Sequence, residues 1–184
     1  MSKEIEIKIF EIDKEKIEEK IVSLGGIKKH DIEVETRYYD IEPEAAYGEK
    51  RKFLRIRRKW NVYKFTYKWL SIQENMQVND EIDVQIESPD NLREILPKIW
   101  HPEYDHVKKQ RTTYELWNII FDIDTYDLFP TFMEIEAPSI KLVKEWTSKL
   151  WLDSYPQSWD GYPKIKTIWY DTFITELKKK QWII

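Results

Sequence analysis

Residues Glu4–Phe10 read EIEIKIF. Glu4, Glu6 and Lys8 alternate with Ile5, Ile7 and Ile9, and strict alternation of this kind marks a half-buried β-strand. The isoleucines face a core. The charges face either solvent or the wall of a charged cavity, and that choice decides what the fold is for.

The pattern recurs along the chain. Arg55 and Arg57 oppose Leu54 and Ile56. Lys64, Thr66 and Lys68 oppose Phe65, Tyr67 and Trp69, and Glu81, Asp83 and Gln85 oppose Ile82, Val84 and Ile86. Lys109 and Arg111 share a side, as do Asp122 and Asp124, and as do Glu134 and Glu136. A single strand of this type is an amphipathic strand with its polar face in water. The series is harder to explain that way. Its polar positions are nearly all fully charged, and the acids come as E-x-E or D-x-D pairs and the bases as R-x-R or K-x-R pairs on one face. Such pairing suits polyanion and divalent-metal chemistry.

The connecting segments read as helices and turns. Asp13 caps a helix in which Ile17, Ile21 and Leu24 recur at helical spacing, and Gly25 and Gly26 end it. IEVETRYYDI reads as a strand, and Glu42 to Lys52, with Pro43 and Gly48, as a loop. FLRIRRKW and VYKFTYKWL form a hairpin turning at Asn61, followed by a polar connection, SIQENMQV. A helix starts at Ser88-Pro89, and Glu103 to Asp124 is extended in three pieces. YDLFP reads as a turn, TFMEIEAP as a strand, and Ser139 caps an amphipathic helix. A loop spans Asp153 to Pro163, and Lys164 to Lys180 reads as helical, with Ile168, Trp169, Phe173 and Leu177 on its apolar positions. The expected fold is α+β, with about eight strands and three or four helices in one domain over 1–184. Short turns make neighbouring strands antiparallel. A sheet of this size stays open or closes into a barrel.

Composition narrows the function. With 184 residues, 15% of them aromatic, the chain is too rich in large rings to be disordered. A net charge of −4 argues against a nucleic-acid partner. There is no cysteine, which excludes disulfides and thiolate metal sites. His30, His101 and His106 have no metal-ligand spacing. No secretory signal is evident, and no segment approaches the roughly 20 apolar residues of a membrane span. The expectation is a cytoplasmic protein without a membrane partner, and a homodimer is left open.

If helices cover the apolar face of a curved sheet, the charged face becomes an interior. Buried charges without partners cost several kcal/mol per ion, so such a cavity must be wet and balanced. The candidate bases are Lys8, Arg55, Arg57, Lys68, Lys109 and Arg111, and the candidate acids Glu4, Glu6, Glu81, Asp124, Glu134 and Glu136. Together they match a metal–polyphosphate complex: oxygen-only ligands suit Mg²⁺ or Mn²⁺, and arginine forks suit phosphate oxygens.

EIEIK resembles the ExExK signature of the CYTH domain, or triphosphate tunnel metalloenzymes. That family includes class IV adenylate cyclases, thiamine triphosphatases and inorganic tripolyphosphatases. RYYD (37–40), LRIR (54–57), TYK (66–68), DEID (80–83), KQRTTYEL (109–116) and FDID…FMEIE (121–136) resemble its later blocks in order. The resemblance spans residues 4–136 and implies an eight-stranded antiparallel β-barrel, a triphosphate tunnel, with flanking helices outside and a C-terminal helical part over 139–181. It implies phosphate contacts from Lys8, Arg55, Arg57, Lys68, Lys109 and Arg111. It also implies metal held by Asp124, Glu134 and Glu136, with Glu4, Glu6 and Glu81 completing the acidic set. Pro130 stands where many relatives carry a turn glycine before the EIE strand. Lys166, in KTIWY, faintly resembles a late family lysine and is an additional candidate phosphate contact; a surface helical lysine is the plainer reading.

The expected activity is divalent-metal-dependent hydrolysis of inorganic tripolyphosphate, thiamine triphosphate or a nucleoside triphosphate. Glu4, Glu6 and Lys8 are the expected catalytic residues, one of the glutamates orienting or deprotonating water. The alternatives are a class IV adenylate cyclase, forming cyclic AMP and pyrophosphate from ATP, and a non-catalytic polyphosphate or nucleotide-binding module.

Overall fold

The computed structural model describes residues 2–41, 51–127 and 129–159, and beyond them Thr172, Thr175 and Lys179. The chain runs β1 (Ser2–Ile9), α1 (Lys14–Ser23), β2 (Ile27–Asp40), β3 (Arg51–Lys59), β4 (Val62–Gln73), β5 (Met76–Ile86), α2 (Pro89–Lys98), β6 (Glu103–Leu116), β7 (Ile119–Tyr126), β8 (Phe129–Ala137), α3 (Ile140–Lys149) and β9 (Gln157–Ser158). Eight strands follow one another around a closed antiparallel barrel in the order β5-β4-β3-β2-β6-β7-β8-β1, and β1 returns to pair with β5. The short β9 lies beside β1, with Ile9 opposite Gln157.

The alternation in EIEIKIF is resolved by what covers each face. Ile5, Ile7 and Ile9 point outward and are buried against Ile17 and Ile21 of α1 and Val143, Trp146 and Leu150 of α3. On the far side Leu96 of α2 packs on Tyr39 and Ile56, with Leu54, Phe65 and Ile86 around them. Each fully buried aliphatic or aromatic side chain contributes about 1.5–3 kcal/mol, so the outer wall carries the barrel's apolar core. Coverage is not complete. Trp69, Ile82 and Val84 stand exposed on the outside of β4 and β5.

The helix signals act as read. The Asp13 side chain accepts the Lys16 N–H and the Ser139 side chain the Leu142 N–H. Gly25, at φ 96°, sends its N–H to Val22 O, and Gly26 sends its own to Ile21 O, the two bonds of a Schellman stop. A Cβ on Gly26 would lie 2.4 Å from the Ile21 side chain.

Several boundaries differ from the sequence reading. SIQENMQV is not a polar connection. Strands β4 and β5 run through it and turn at Glu74-Asn75, both at positive φ, as the tightest hairpins require. Met76, Gln77 and Val78 are buried, so its polarity belongs to a strand that faces the cavity. Arg51 and Lys52 lie in β3 rather than in the preceding loop; residues 42–50 of that loop lie outside the described residues. The extended run from Glu103 is two strands, not three, reversing at Trp117-Asn118. Pro130 sits within β8, beside the register shift opposite Asp124 and Tyr126, a position that leaves its missing N–H unneeded. Most of the predicted tail helix, Lys166 included, lies outside the described residues; Thr172, Thr175 and Lys179 are helical. Among the described residues no helix is long and apolar enough to cross a membrane.

Candidate active site

The barrel encloses a cavity of about 320 Å³ walled by charged side chains of its strands. Five of the six bases from the sequence, all but Arg57, make ion pairs there. Lys8 Nζ donates to Glu6 at 2.7 Å and to Gln77 at 3.2 Å, and lies 3.5 Å from Glu134. Lys68 lies 2.5 Å from Glu81 and 3.8 Å from Glu6, and Arg55 lies 3.2 Å from Glu81. Lys109 donates to Asp124 at 2.5 Å. Arg111 donates to Asp124 through Nε at 2.6 Å and to Glu134 through Nη2 at 2.6 Å, and is also paired with Asp122. Strand register brings these partners together: Lys8 faces Glu134 across β1–β8, Lys68 faces Glu81 across β4–β5, and Arg111 faces Asp124 across β6–β7.

These pairs set the protonation states. Against the cost of burial, Arg55 and Lys68 hold Glu81 down to about 2. Glu134 is likewise held well below the carboxylate range despite burial, by Arg111 and then Lys8. Lys8 is raised, because Glu6 and Glu134 outweigh its burial. Asp124 is fully buried between Lys109 and Arg111, so of the six expected metal ligands it is the most committed to cations.

Two acids behave differently. Glu4 and Glu136 line the cavity but make no ion pair or hydrogen bond with any described residue. Burial, then Glu4 and Glu6, push Glu136 up to about 8. Burial and Glu81 raise Glu4. Glu136 sits directly opposite Glu6 in the β1–β8 ladder. Among the described residues no three His, Cys, Asp or Glu are gathered closely enough to hold an ion by themselves. The donor set nevertheless fits a hydrated Mg²⁺ or Mn²⁺, which binds through one or two carboxylates together with substrate phosphates: a divalent cation would relieve the repulsion that Glu4 and Glu136 carry.

The opposite wall carries the reverse imbalance. Arg57 and Lys59 on β3 line the cavity without a carboxylate partner among the described residues. Repulsion from Arg55, then burial, pull Arg57 down to about 10. Burial, then Arg57, pull Lys59 down to about 8. In the circular strand order β3 is four strands from β8, the position diametrically across the barrel.

Sequence reading missed several cavity residues. Asp122 was seen only as half of a D-x-D pair; it accepts from Arg111 and Thr113. Lys59 continues the alternation of Arg55 and Arg57 and was legible from it. Gln77 and Asn79 form a buried amide relay, Gln77 donating to Asn79 at 2.9 Å and Asn79 to Glu6 at 3.4 Å. The aromatic side chains of Tyr38, Phe53, Tyr126 and Phe132 also line the cavity; their place inside the barrel depends on closure.

Comparison with known proteins gives one consistent picture. The family model described as the CYTH domain matches residues 2–152. A Methanocaldococcus jannaschii protein whose name proposes an adenylate cyclase is 30% identical over 135 residues, 72% of this chain and 75% of its own. The solved structure of a Pyrococcus horikoshii OT3 protein superposes with a TM-score of 0.69 at 25% identity, covering 81% of this chain and 90% of that one. A Hippeastrum protein, a proposed adenylyl cyclase described as having a dominant triphosphatase activity, shares the fold at a TM-score of 0.56 and 14% identity, over 96% of both chains.

Proposed function

The chain belongs to the CYTH domain family, and from that premise we propose that it hydrolyses a triphosphate in a divalent-metal-dependent reaction inside the barrel. One observation carries the reading. Among the described residues, the charged cavity side chains left without partners are cations on one wall, Arg57 and Lys59, and acids on the facing wall, Glu4 and Glu136. A metal–triphosphate complex presents the complementary charges.

The chain's own residues account for binding and positioning. Arg57 and Arg55 take phosphate oxygens through charge-assisted hydrogen bonds, which are about twice as strong as neutral ones. Lys8, Lys68 and Arg111 stand pre-oriented by Glu6, Glu81, Asp122 and Glu134, so they meet the substrate without reorganising. Fixed charges of this kind stabilise the charge that develops on the transferring phosphoryl group. Glu6, anchored by Lys8 and Asn79, orients the attacking water. Glu4 and Glu136 would hold Mg²⁺ or Mn²⁺, with Glu6 beside them, and the bound ion would act as a Lewis acid on phosphate oxygens.

A second reading, cyclisation of ATP, is favoured by the name of the M. jannaschii relative and by Tyr38 and Phe53, whose rings lie 5.6 Å apart against the cavity and offer a surface for a purine. Incubation with tripolyphosphate, thiamine triphosphate and ATP, each with Mg²⁺ or Mn²⁺, separates the readings. Release of inorganic phosphate supports hydrolysis. Cyclic AMP with pyrophosphate replaces it by the cyclase, and binding without turnover by a non-catalytic module.

A further inference from the structure

Strand β5 changes character along its length. Met76, Gln77, Val78 and Asn79 are buried, whereas Ile82, Asp83, Val84 and Gln85 are all exposed. The ladders give the reason. β4 stays beside β5 as far as Ile86, but β1 pairs with it only from Gln77 to Glu81, where Ser2 is the last partner. Ile82 to Ile86 therefore has a neighbour on one side only, and among the described residues nothing pairs with its other edge. Such an edge presents unpaired N–H and C=O groups and is a template for a further strand.

Proteins blunt open edges with lysine, proline, bulges and inward charges. β2 shows these devices. β3 pairs with it only from Val34 onward, and the overhanging Ile27–Glu33 stretch carries Lys28, Lys29 and a register shift between Lys28 and His30. The β5 overhang, IDVQI, has no lysine, no proline and no register shift. Its one inward charge, Asp83, is answered inside its own barrel, accepting from Thr66 at 2.5 Å and Lys64 at 3.4 Å. Its outward side chains Ile82 and Val84 are 50% and 55% exposed, with Trp69 of β4 at 43% on the same outer face.

We propose that this edge of β5 is a dimerisation surface, on which a second copy of the chain adds its own Ile82–Ile86 antiparallel to the first. Charge selects the occupant and the register. The two-fold axis that keeps all five residues in the ladder passes through Val84. It sets Asp83 opposite the partner's Gln85 and Ile82 opposite the partner's Ile86, so no like charges face each other. Moving the axis one residue either way sets Asp83 against the partner's Asp83 or the partner's Glu87, and like charges directly opposite are destabilising. Opposed residues of a ladder share a face, so Ile82, Val84 and Ile86 of both copies form one apolar strip outside the two barrels. The surface is self-complementary, as a two-fold interface must be.

Sedimentation velocity of the full chain over a wide range of concentration should show a monomer–dimer equilibrium. Val84→Lys sets two ammonium groups opposite each other on the axis and should weaken the dimer about a hundredfold or more, while the diluted monomer unfolds at the wild-type temperature. A gentler variant reads the register. The chain has no cysteine, and residues directly opposite in a ladder have Cβ atoms about 4.5–5.5 Å apart. Mild oxidation of Val84→Cys should therefore yield a covalent dimer, whereas Ile95→Cys on α2, at a position 48% exposed, should stay a single chain. Equal cross-linking of the two cysteine variants overturns the proposal. A dimer that survives Val84→Lys overturns it by placing the interface on another face, and a wild type that stays monomeric at every concentration overturns it by leaving the edge to a strand of a different chain.

Discussion

The β1–β8 wall and the β3 wall of the barrel are built from the same kind of alternating strand, yet each leaves the opposite charge unanswered. On the first, Lys8, Glu6 and Glu134 are mutually paired while Glu4 and Glu136 are left over. On the second, Arg55 is paired while Arg57 and Lys59 are left over. Between them Arg111, Asp122, Asp124 and Lys109 form a paired cluster that Arg111 links to Glu134. Under the proposed reading, pairing orients one set of charges before the substrate arrives, and the unpaired set is left for a ligand that carries both signs.

The contrast predicts opposite consequences for substitutions that look alike. The largest effect falls in the paired cluster. Arg111→Ala leaves Asp122, Asp124 and Glu134 buried without their main cation, and breaking a buried pair from one side costs about 3–5 kcal/mol. Chemical denaturation should register a loss of that size, and a loss under about 1 kcal/mol would break the contrast between paired and unpaired charges. Arg57→Ala should do the reverse. Tripolyphosphate affinity by calorimetry should fall about ten- to a hundredfold, while the unfolding temperature holds or rises, since repulsion with Arg55 is removed.

Glu136→Gln tests the acidic wall. The folded protein raises this carboxyl from the ordinary 4.5 to about 8, so its ionisation costs stability increasingly from pH 4.5 to 8. The substitution should raise the metal-free unfolding temperature at pH 7.5 by about 2–4 °C, and the gain should vanish below about pH 4.5. Mg²⁺ should stabilise the wild type more than the variant; equal stabilisation would move the ion elsewhere. The smallest effect concerns Lys59. Its folded value near 8 lies below the ordinary 10.5, so the unfolded chain binds more protons between those values and stability rises with pH across that window. The slope should be shallower in Lys59→Met, measured as the difference between the two denaturation profiles from pH 8 to 10.

Much of this was legible in the sequence because a strand's period of two is local. EIEIKIF, FLRIRRK and FMEIE each declare which residues share a side, and the ordered series resembled the CYTH family closely enough to imply the barrel. SIQENMQV was misread because Gln77 is polar for the same reason as Glu81: both face the cavity. Lys59 was overlooked although it extends the R-x-R alternation by one step.

What the sequence by itself determined, then, is the two-faced character of each strand, the helix caps at Asp13 and Ser139, and the stock of acids and bases. Only the tertiary structure decided which face is the interior and which charges remain free. Closure of β1 onto β5 turns the polar face inward, and register across strands far apart in the chain sets Arg111 on Glu134 and Lys8 on Gln77 while leaving Arg57, Lys59, Glu4 and Glu136 without partners among the described residues. Alternation is a property of neighbouring residues, whereas a charge's partner is fixed by distance in space, and no local pattern encodes it.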